Sequence, residues 1–351
     1  MNRRPFRRGT IVFLFLSILI ISILFYRSRL LIVLPFEDGA DDAIYPAQII
    51  PQFPSPNLAV QQPLIPKIIH HGYANESIPR QLREGQQDVK DLHLGWKYML
   101  WTEQTGRDFI QRAYPKYIDL YDSYPYTIQR VDVLRYFVLH YYGGIYLDLD
   151  ISTFRPLDPL LQLPAFACRT TPTGISIDFL GSRPGHPFFE HVINSLETYN
   201  KNWICKYITV MYTTGPLFLS VMWVEYLTML KSDMVTEYLA ILKSKMGGLR
   251  KNKGNLTDMD KFKVVMGSED GGNSYGFFRK AQDGSWHGKD VQFIFWMGRH
   301  EMLVMVVGFV VGFAVTRITW WIIMKVARFW EKERWWEHKA LAMSYEALED
   351  V

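Results

Sequence analysis

From Gly9 to Tyr26 the chain runs GTIVFLFLSILIISILFY, 18 residues without a charge. At about 1.5 Å per residue a helix of this length spans about 27 Å, close to the hydrocarbon thickness of a bilayer. The run is long for the apolar region of a cleaved signal peptide, and the RSRLLIVLPF that follows offers no small-x-small cleavage site. A retained signal anchor is therefore expected over residues 9–34. Arg3, Arg4, Arg7 and Arg8 crowd its N-terminal side, which puts residues 1–8 in the cytosol and the bulk of the chain in the lumen.

A second segment, Met302–Met324, is apolar except for Arg317. With Trp320 and Trp321 at the interface and Arg317 snorkelling, residues 301–324 read as a second span. An interfacial or re-entrant helix is the competing reading. Residues 325–351 mix charges with Trp330, Trp335 and Trp336 and read as a cytosolic amphipathic tail. The net charge is +4, and the first 29 residues hold six arginines and no acid, which leaves residues 30–351 at −2. No basic face remains for nucleic acid. An aromatic content of 15% excludes a disordered regulator, and two cysteines exclude a disulfide scaffold or a multi-cysteine zinc module. Cys168 and Cys205 would both be lumenal, and their spacing does not decide whether they pair. Two glycosylation sequons, at Asn75 and Asn255, fall between the hydrophobic segments, in agreement with a lumenal body.

Seven of the 18 prolines lie in residues 35–66, a spacing that forbids helix, so residues 35–64 read as an extended stem. A compact lumenal domain is expected over 65–300. KIIHHGY (67–73) reads as a buried strand, 77–94 as a polar helix and WKYMLW (96–101) as a second strand. Thr102 caps a helix reaching Tyr114, and Thr127 caps another with its apolar stripe on Ile128, Val131, Leu134, Val138 and Tyr142. Gly143-Gly144 ends that helix, and IYLDLD (145–150) reads as a strand. FACRT and IDFLGS are further strands, followed by helices from Pro187 to Asn200 and near Leu217–Leu230. Strands alternating with helices predict an α/β domain with a mostly parallel sheet, whose ligands bind beyond the carboxyl ends of the strands.

The chemistry concentrates in Tyr126–Leu161. Asp148 and Asp150 flank Leu149 at the end of the apolar strand, and alternation points both carboxylates the same way. Two such carboxylates repel unless a cation lies between them, and oxygen-only ligation suits Mn2+ or Mg2+, which also bind a diphosphate. The second Asp-x-Asp, at Asp258 and Asp260, lies in a polar stretch and reads as a solvated loop. Asp132 and Arg135 share a helix face at i,i+3. That spacing fits a surface ion pair and a ligand site equally well. Tyr146 either packs on a base or fills core, and His70 and His71 are either near the ligand or satisfied core histidines.

The block RVDVLRYFVLHYYGGIYLDLD (130–150) resembles the signature of the DXD-containing sugar transferases of glycosyltransferase family 32. It is most similar to the fungal mannosyl-inositolphosphorylceramide synthases. The similarity runs on through IPKIIHHGY, WKYMLWT, FRPLDPLL, FLGSRPGHPFF and TGPLF, from about Ile65 to Asp290. It implies a GT-A-type nucleotide-sugar-binding domain, flanked here by N-terminal and C-terminal membrane helices. It further implies a Golgi membrane location with the catalytic domain lumenal, GDP-mannose as donor, Mn2+ (or Mg2+), inositol phosphorylceramide as acceptor and a membrane-bound regulatory subunit as partner.

By the same resemblance Asp148 and Asp150 match the metal-diphosphate motif, Asp132 and Arg135 the acid and base that hold the donor, and Gly144 and Tyr146 the turn before the acids. Ser285 and Trp286 resemble the element that closes over the diphosphate, His287 is a candidate third metal ligand, and Asp178 is a candidate contact to sugar or acceptor. Thr214-Gly215-Pro216 resembles a loop near the acceptor. The expected reaction is a metal-dependent, retaining mannosyl transfer. A mannosyltransferase of protein-linked glycans and a non-catalytic membrane subunit are the competing readings.

Overall fold

The computed structural model describes residues 14–15, 17–23, 34, 42–49, 62–170, 173–203, 205–245, 258–267, 276–280 and 289–349. The chain divides into two compact units, Leu30–Asp290 and the terminal pair Met1–Arg29 with Val291–Val351.

In the first unit the strands are β1 (Ala43–Ile44), β2 (Ile68–Gly72), β3 (Lys97–Trp101), β4 (Gly144–Leu147), β5 (Ile151–Thr153), β6 (Ala165–Arg169), β7 (Ile175–Ser182), β8 (Lys263–Val265) and β9 (Phe278–Lys280). The helices of eight residues or more are α1 (Arg80–Leu92), α2 (Glu103–Ala113), α3 (Thr127–Tyr142), α4 (Pro187–Tyr199), α5 (Lys206–Thr213) and α6 (Pro216–Lys245). Beyond them come α7 (Lys289–Arg299) and α8 (Glu301–Glu349). Seven strands form one sheet in the order β1-β8-β6-β7-β4-β2-β3, and β5 pairs with β9 in a small antiparallel ribbon. All pairings in the large sheet are parallel except those of β7, which runs antiparallel to both β4 and β6. The sheet is thus mixed and mostly parallel.

Side-chain alternation sorts the core into two layers. Along β4, Tyr146 enters a cluster with Phe109 of α2, Phe137 of α3, Phe188 of α4 and Trp223 of α6. Ile145 and Leu147 enter the opposite cluster, with Val89 of α1, Ile151 of β5 and Phe278 of β9. Helix α3 is the centre of the first layer: every residue from Asp132 to Leu139 is buried. Its apolar stripe therefore understates how deeply it sits, because a helix enclosed on all sides loses the one-sided pattern.

Thr102 caps α2 as its sequence predicts. Its hydroxyl accepts the Thr105 N–H at 3.2 Å, and the Thr105 hydroxyl accepts the Thr102 N–H at 2.8 Å. Thr127 does not cap α3. The cap is Tyr126, whose N–H donates to the Gln129 side chain at 3.3 Å. Thr127 lies inside the first turn, where its hydroxyl accepts from Arg130 at 3.2 Å.

The segment expected to be an extended stem is partly built into the body. Ala43–Ile44 pairs in parallel with β8, and the Lys263 ammonium donates to Asp42 at 2.8 Å. Leu34, expected at the end of the anchor, is instead buried in the body and accepts the Thr173 hydroxyl on its carbonyl at 2.9 Å. Pro46–Ile49 makes a helical turn, against the expectation that the prolines forbid helix here, because proline is tolerated at a first helical position. Cys168 and Cys205 form no disulfide with each other. Asp258–Asp260 is a 3-10 turn rather than a solvated loop. It is held by an Arg183–Asp260 ion pair at 3.1 Å and by the Tyr226 hydroxyl on the Asp260 carbonyl at 2.7 Å.

Among the described residues, two helical stretches are long and apolar enough to cross a membrane, Met302–Val326 and Lys206–Ser232. The most apolar 18-residue window of the second is 67% buried in the body and makes it a core element, whereas that of the first is 0% buried. Helix α8 runs unbroken for 49 residues, so the segment read as a separate tail continues the same helix. In the N-terminal apolar run the described residues 14–15 and 17–23 are helical, and Phe15, Ile18 and Ile21 are more than 60% exposed.

Candidate active site

The site is assembled where α3 turns into β4. Gly143 (φ 65°) and Gly144 (φ 98°) take conformations that side chains with a Cβ rarely adopt. A Cβ on Gly144 would lie 2.6 Å from the Ile68 carbonyl oxygen of β2. The two glycines let the chain reverse from the helix directly into the centre of the sheet.

β4 ends at Leu147, short of the acids. The Asp148 N–H still donates to the Asp178 carbonyl on β7 at 2.9 Å, and the Ile151 N–H closes back onto the Asp148 carbonyl at 3.1 Å. Asp148 and Asp150 therefore occupy a turn, and strand alternation does not place them. Gly85 of α1 backs this turn: a Cβ there would lie 3.2 Å from the Ser152 hydroxyl and 3.7 Å from the Leu149 carbonyl. The antiparallel pairing sets Asp178 directly beside Asp148, and the Ser176 hydroxyl donates a short hydrogen bond to the Asp178 carboxylate. Asp148, Asp150 and Asp178 are all half-buried.

Asp132 and Arg135 lie beneath this turn. Each exposes only 2% of its side chain. Arg135 Nη2 donates to Asp132 Oδ1 at 3.1 Å, and Nη1 donates to the Ile177 carbonyl at 2.7 Å and approaches Asp148 Oδ1 at 3.3 Å. The guanidinium carbon stands 4.7 Å from the centre of the Tyr146 ring. One cation is thus shared by two carboxylates and a ring face. Burial pushes the Asp132 carboxyl up to about 7, with Arg135 pulling the other way. Burial likewise raises Asp148, again opposed by Arg135. Burial alone would weaken the charge of Arg135, but Asp148, Tyr146 and Asp132 outweigh it and raise its pKa.

In this buried group Arg135 Nε lacks a hydrogen-bond partner among the described residues, while the Tyr146 hydroxyl is directed at the Asp148 carboxylate. An unused donor beside an acidic turn suits a phosphate-bearing ligand. Among the described residues no three His, Cys, Asp or Glu side chains are grouped to hold a metal. Asp148 and Asp150 fit a hard cation of the kind held by one or two carboxylates and completed by substrate phosphates.

Ser285, Trp286 and His287 lie outside the described residues, as does the Asn255 sequon. Asn75 is exposed, and its side-chain oxygen accepts the Ser77 N–H at 2.8 Å. His70 and His71 are core histidines. His70 accepts from the Trp101 indole at 3.1 Å and meets the Gly143 carbonyl at 2.8 Å, while His71 Nδ1 meets the Tyr98 hydroxyl at 2.7 Å. Burial lowers them to about 4 and about 3, so both are neutral.

Beyond the carboxyl ends of β2 and β3 opens a cleft of about 390 Å³ lined by Ala74, Asn75, Glu76, Thr102, Glu103 and Gln104. The sequence reading passed over Gly72, at the end of β2. A Cβ there would lie 2.6 Å from the Tyr146 hydroxyl. A lone glycine at a strand end was the available signal, since it marks a close approach. Thr214 was expected near the acceptor. It is fully buried, and its hydroxyl donates to Asp132 Oδ2 at 3.1 Å.

A family model described as the glycosyltransferase sugar-binding region containing the DXD motif matches residues 79–167, a stretch that includes Asp132, Arg135, Asp148 and Asp150. The chain is 38% identical over 299 residues to mannosyl phosphorylinositol ceramide synthase CSH1 of Saccharomyces cerevisiae, covering 85% of this chain and 73% of that protein. It is 36% identical over 267 residues to inositol phosphoceramide mannosyltransferase 3 of Schizosaccharomyces pombe, covering 76% and 68%. A solved structure, PaToxG glycosyltransferase, aligns with 51% of this chain and 76% of its own at 17% identity and a TM-score of 0.34, too slight a likeness to carry an argument. Identity of this extent, over these shares of the curated proteins, shows that the chain belongs to the DXD-containing glycosyltransferase family that includes these fungal enzymes.

Proposed function

We propose that this chain is a metal-dependent, retaining mannosyltransferase that moves mannose from GDP-mannose to inositol phosphorylceramide in sphingolipid synthesis. The observation that carries this reading is the buried Asp132–Arg135 pair reaching Asp148, in a chain similar over most of its length to enzymes named for that acceptor. The body is read as a GT-A-type domain with the donor beyond the carboxyl ends of the parallel strands.

Asp148 and Asp150 would hold the cation, which supplies positive charge to the departing diphosphate when bound. Arg135, fixed by three acceptors, contributes a preorganised positive charge at the base of the site and has Nε free to donate. Asp132 holds the guanidinium in place. Asp178, next to Asp148 and oriented by Ser176, has the position to contact the sugar or the acceptor hydroxyl. Ser285, Trp286 and His287 are assigned to closure over the diphosphate and exclusion of water.

The exposed apolar segment Met302–Val326 and the N-terminal apolar run support a membrane-tethered enzyme whose acceptor stays in the bilayer. The location we assign is the Golgi membrane with the body lumenal, together with a membrane-bound regulatory subunit. The test uses membranes expressing the protein, radiolabelled GDP-mannose, Mn2+ and inositol phosphorylceramide, beside Asp148→Ala. Label in a mannosylated inositol lipid that vanishes in the variant supports the reading. Label confined to glycoprotein, or none from GDP-mannose, overturns it.

A further inference from the structure

Thr214 lies where α5 ends and α6 has not begun, 82 residues along the chain from Asp132, yet the two side chains meet. Three observations define what this residue does. Its side chain is fully buried, so solvent takes no part in its hydrogen bonding. Its hydroxyl donates to Asp132 Oδ2 at 3.1 Å. Its carbonyl is itself fixed, accepting the Tyr136 hydroxyl of α3 at 2.6 Å. The threonine is therefore clamped to α3 at two points one turn apart, and the second clamp aims its hydroxyl.

The consequence falls on Arg135. Asp132 has two oxygens, Oδ2 engaged by Thr214 and Oδ1 by Arg135 Nη2. With Oδ2 pinned, the carboxylate plane is set, and Oδ1 can hold only one end of the guanidinium. The other end, Nη1, is left to the Ile177 carbonyl and Asp148. Without the pin, the carboxylate is free to rotate and take both ends of the fork, the bidentate geometry that arginine and carboxylate favour. That rotation would draw the guanidinium away from Asp148.

We propose that Thr214 is a positioning residue for nucleotide binding: it holds Asp132 in the orientation that presents Arg135 to Asp148 and to the diphosphate of a nucleoside diphosphate. The inference rests on the reading of the acidic turn given above. It also moves Thr214 from the acceptor side of the reaction to the donor side.

The test compares Thr214→Val, which keeps the shape and removes the hydroxyl, with Thr214→Ser, which keeps the hydroxyl. Asp148→Asn serves as a control on the site itself. Each full-length protein in detergent is titrated with GDP and Mn2+ and its thermal unfolding followed with and without them, alongside KM for the sugar nucleotide and for the lipid acceptor.

A lost hydrogen bond to a charged group predicts GDP binding weakened about tenfold in Thr214→Val, KM for the donor raised to match, KM for the acceptor unchanged, and recovery in Thr214→Ser. A purely structural role would raise both KM values and lower kcat together, or leave Thr214→Ser as impaired as Thr214→Val. Either result overturns the proposal. GDP binding unchanged in Thr214→Val but lost in Asp148→Asn overturns the Thr214 role alone. GDP binding unchanged in Asp148→Asn overturns the reading of the site on which it rests.

Discussion

Asp132 and Arg135 sit one turn apart on α3 and are joined by a 3.1 Å ion pair in which each side chain is 2% exposed. At the surface such a pair would contribute little. Buried, neither partner tolerates the loss of the other, because the survivor is left as an uncompensated charge. Arg135→Ala is expected to lower stability by about 3–5 kcal/mol and to abolish transfer. Arg135→Lys should recover little activity, since an ammonium cannot span three acceptors in the way a planar fork does. Denaturant unfolding and transfer assays on both variants check this; near-normal stability in Arg135→Ala would refute it.

Asp148 behaves differently. Its side chain is 32% exposed, and its carboxyl is shifted upward by burial, so the fold loses little when the charge is removed. Asp148→Asn should keep its melting temperature within a few degrees of the parent and reduce transfer by about 100-fold or more. A parallel loss of stability and activity would indicate that the acid is structural.

The pH dependence of folding follows from the buried histidines. His70 and His71 titrate at about 4 and about 3 in the folded chain, against 6.5 in the unfolded one. Between these values the unfolded state binds more protons, so stability is full above about 6.5 and is lost as pH falls toward 4 and 3. Asp132 opposes this, because its raised value near 7 makes the folded state the stronger proton binder from 3.8 to about 7. Asp148, also raised by burial, opposes in the same direction, and buried His186, lowered to about 4, adds to the histidine side, so the histidines together outweigh the two carboxyls. Melting temperature measured from pH 7 to pH 4 should fall, and His71→Gln should flatten the slope. A wild-type profile that rises toward acid would reverse the assignment.

Two glycines near the acidic turn should respond oppositely to alanine. In Gly72→Ala the new methyl meets the Tyr146 hydroxyl at 2.6 Å, and Tyr146 stands against Arg135. Activity should fall and stability drop by about 1–3 kcal/mol. In Gly85→Ala the nearest atom is the Ser152 hydroxyl at 3.2 Å, at the end of a side chain that can rotate. Removing a glycine from the interior of α1 then stabilises by up to about 1 kcal/mol. Paired melting curves and assays decide between these signs.

The elements were largely legible from the chain. The apolar runs at 67–73 and 96–101 became β2 and β3, and Thr102 capped α2, because these depend on neighbours in sequence. What escaped depends on partners far away. The spacing of Asp132 and Arg135 was visible, but not that Asp132 to Leu139 would be enclosed throughout. That β4 stops at Leu147 follows from Asp148 bonding to Asp178 on a strand running the other way, and strand direction leaves no local mark. The hydroxyl of Thr214 on Asp132 crosses 82 residues. Ala43–Ile44 is too short to show a period, and only its partner β8 makes it a strand.

That two-residue strand governs how the protein is cut for expression. A secreted version beginning at Ile65 looks safe on hydropathy, since it removes only the apolar anchor and a proline-rich stretch. It would also strip β1 and leave Lys263–Val265 as an open sheet margin beside the buried Phe262 and Val264. Unpaired backbone next to newly wetted apolar side chains is a template for self-association. Shortened forms that begin ahead of Leu34, where the Thr173 hydroxyl fastens the chain, keep that margin sealed and are the ones expected to remain monodisperse.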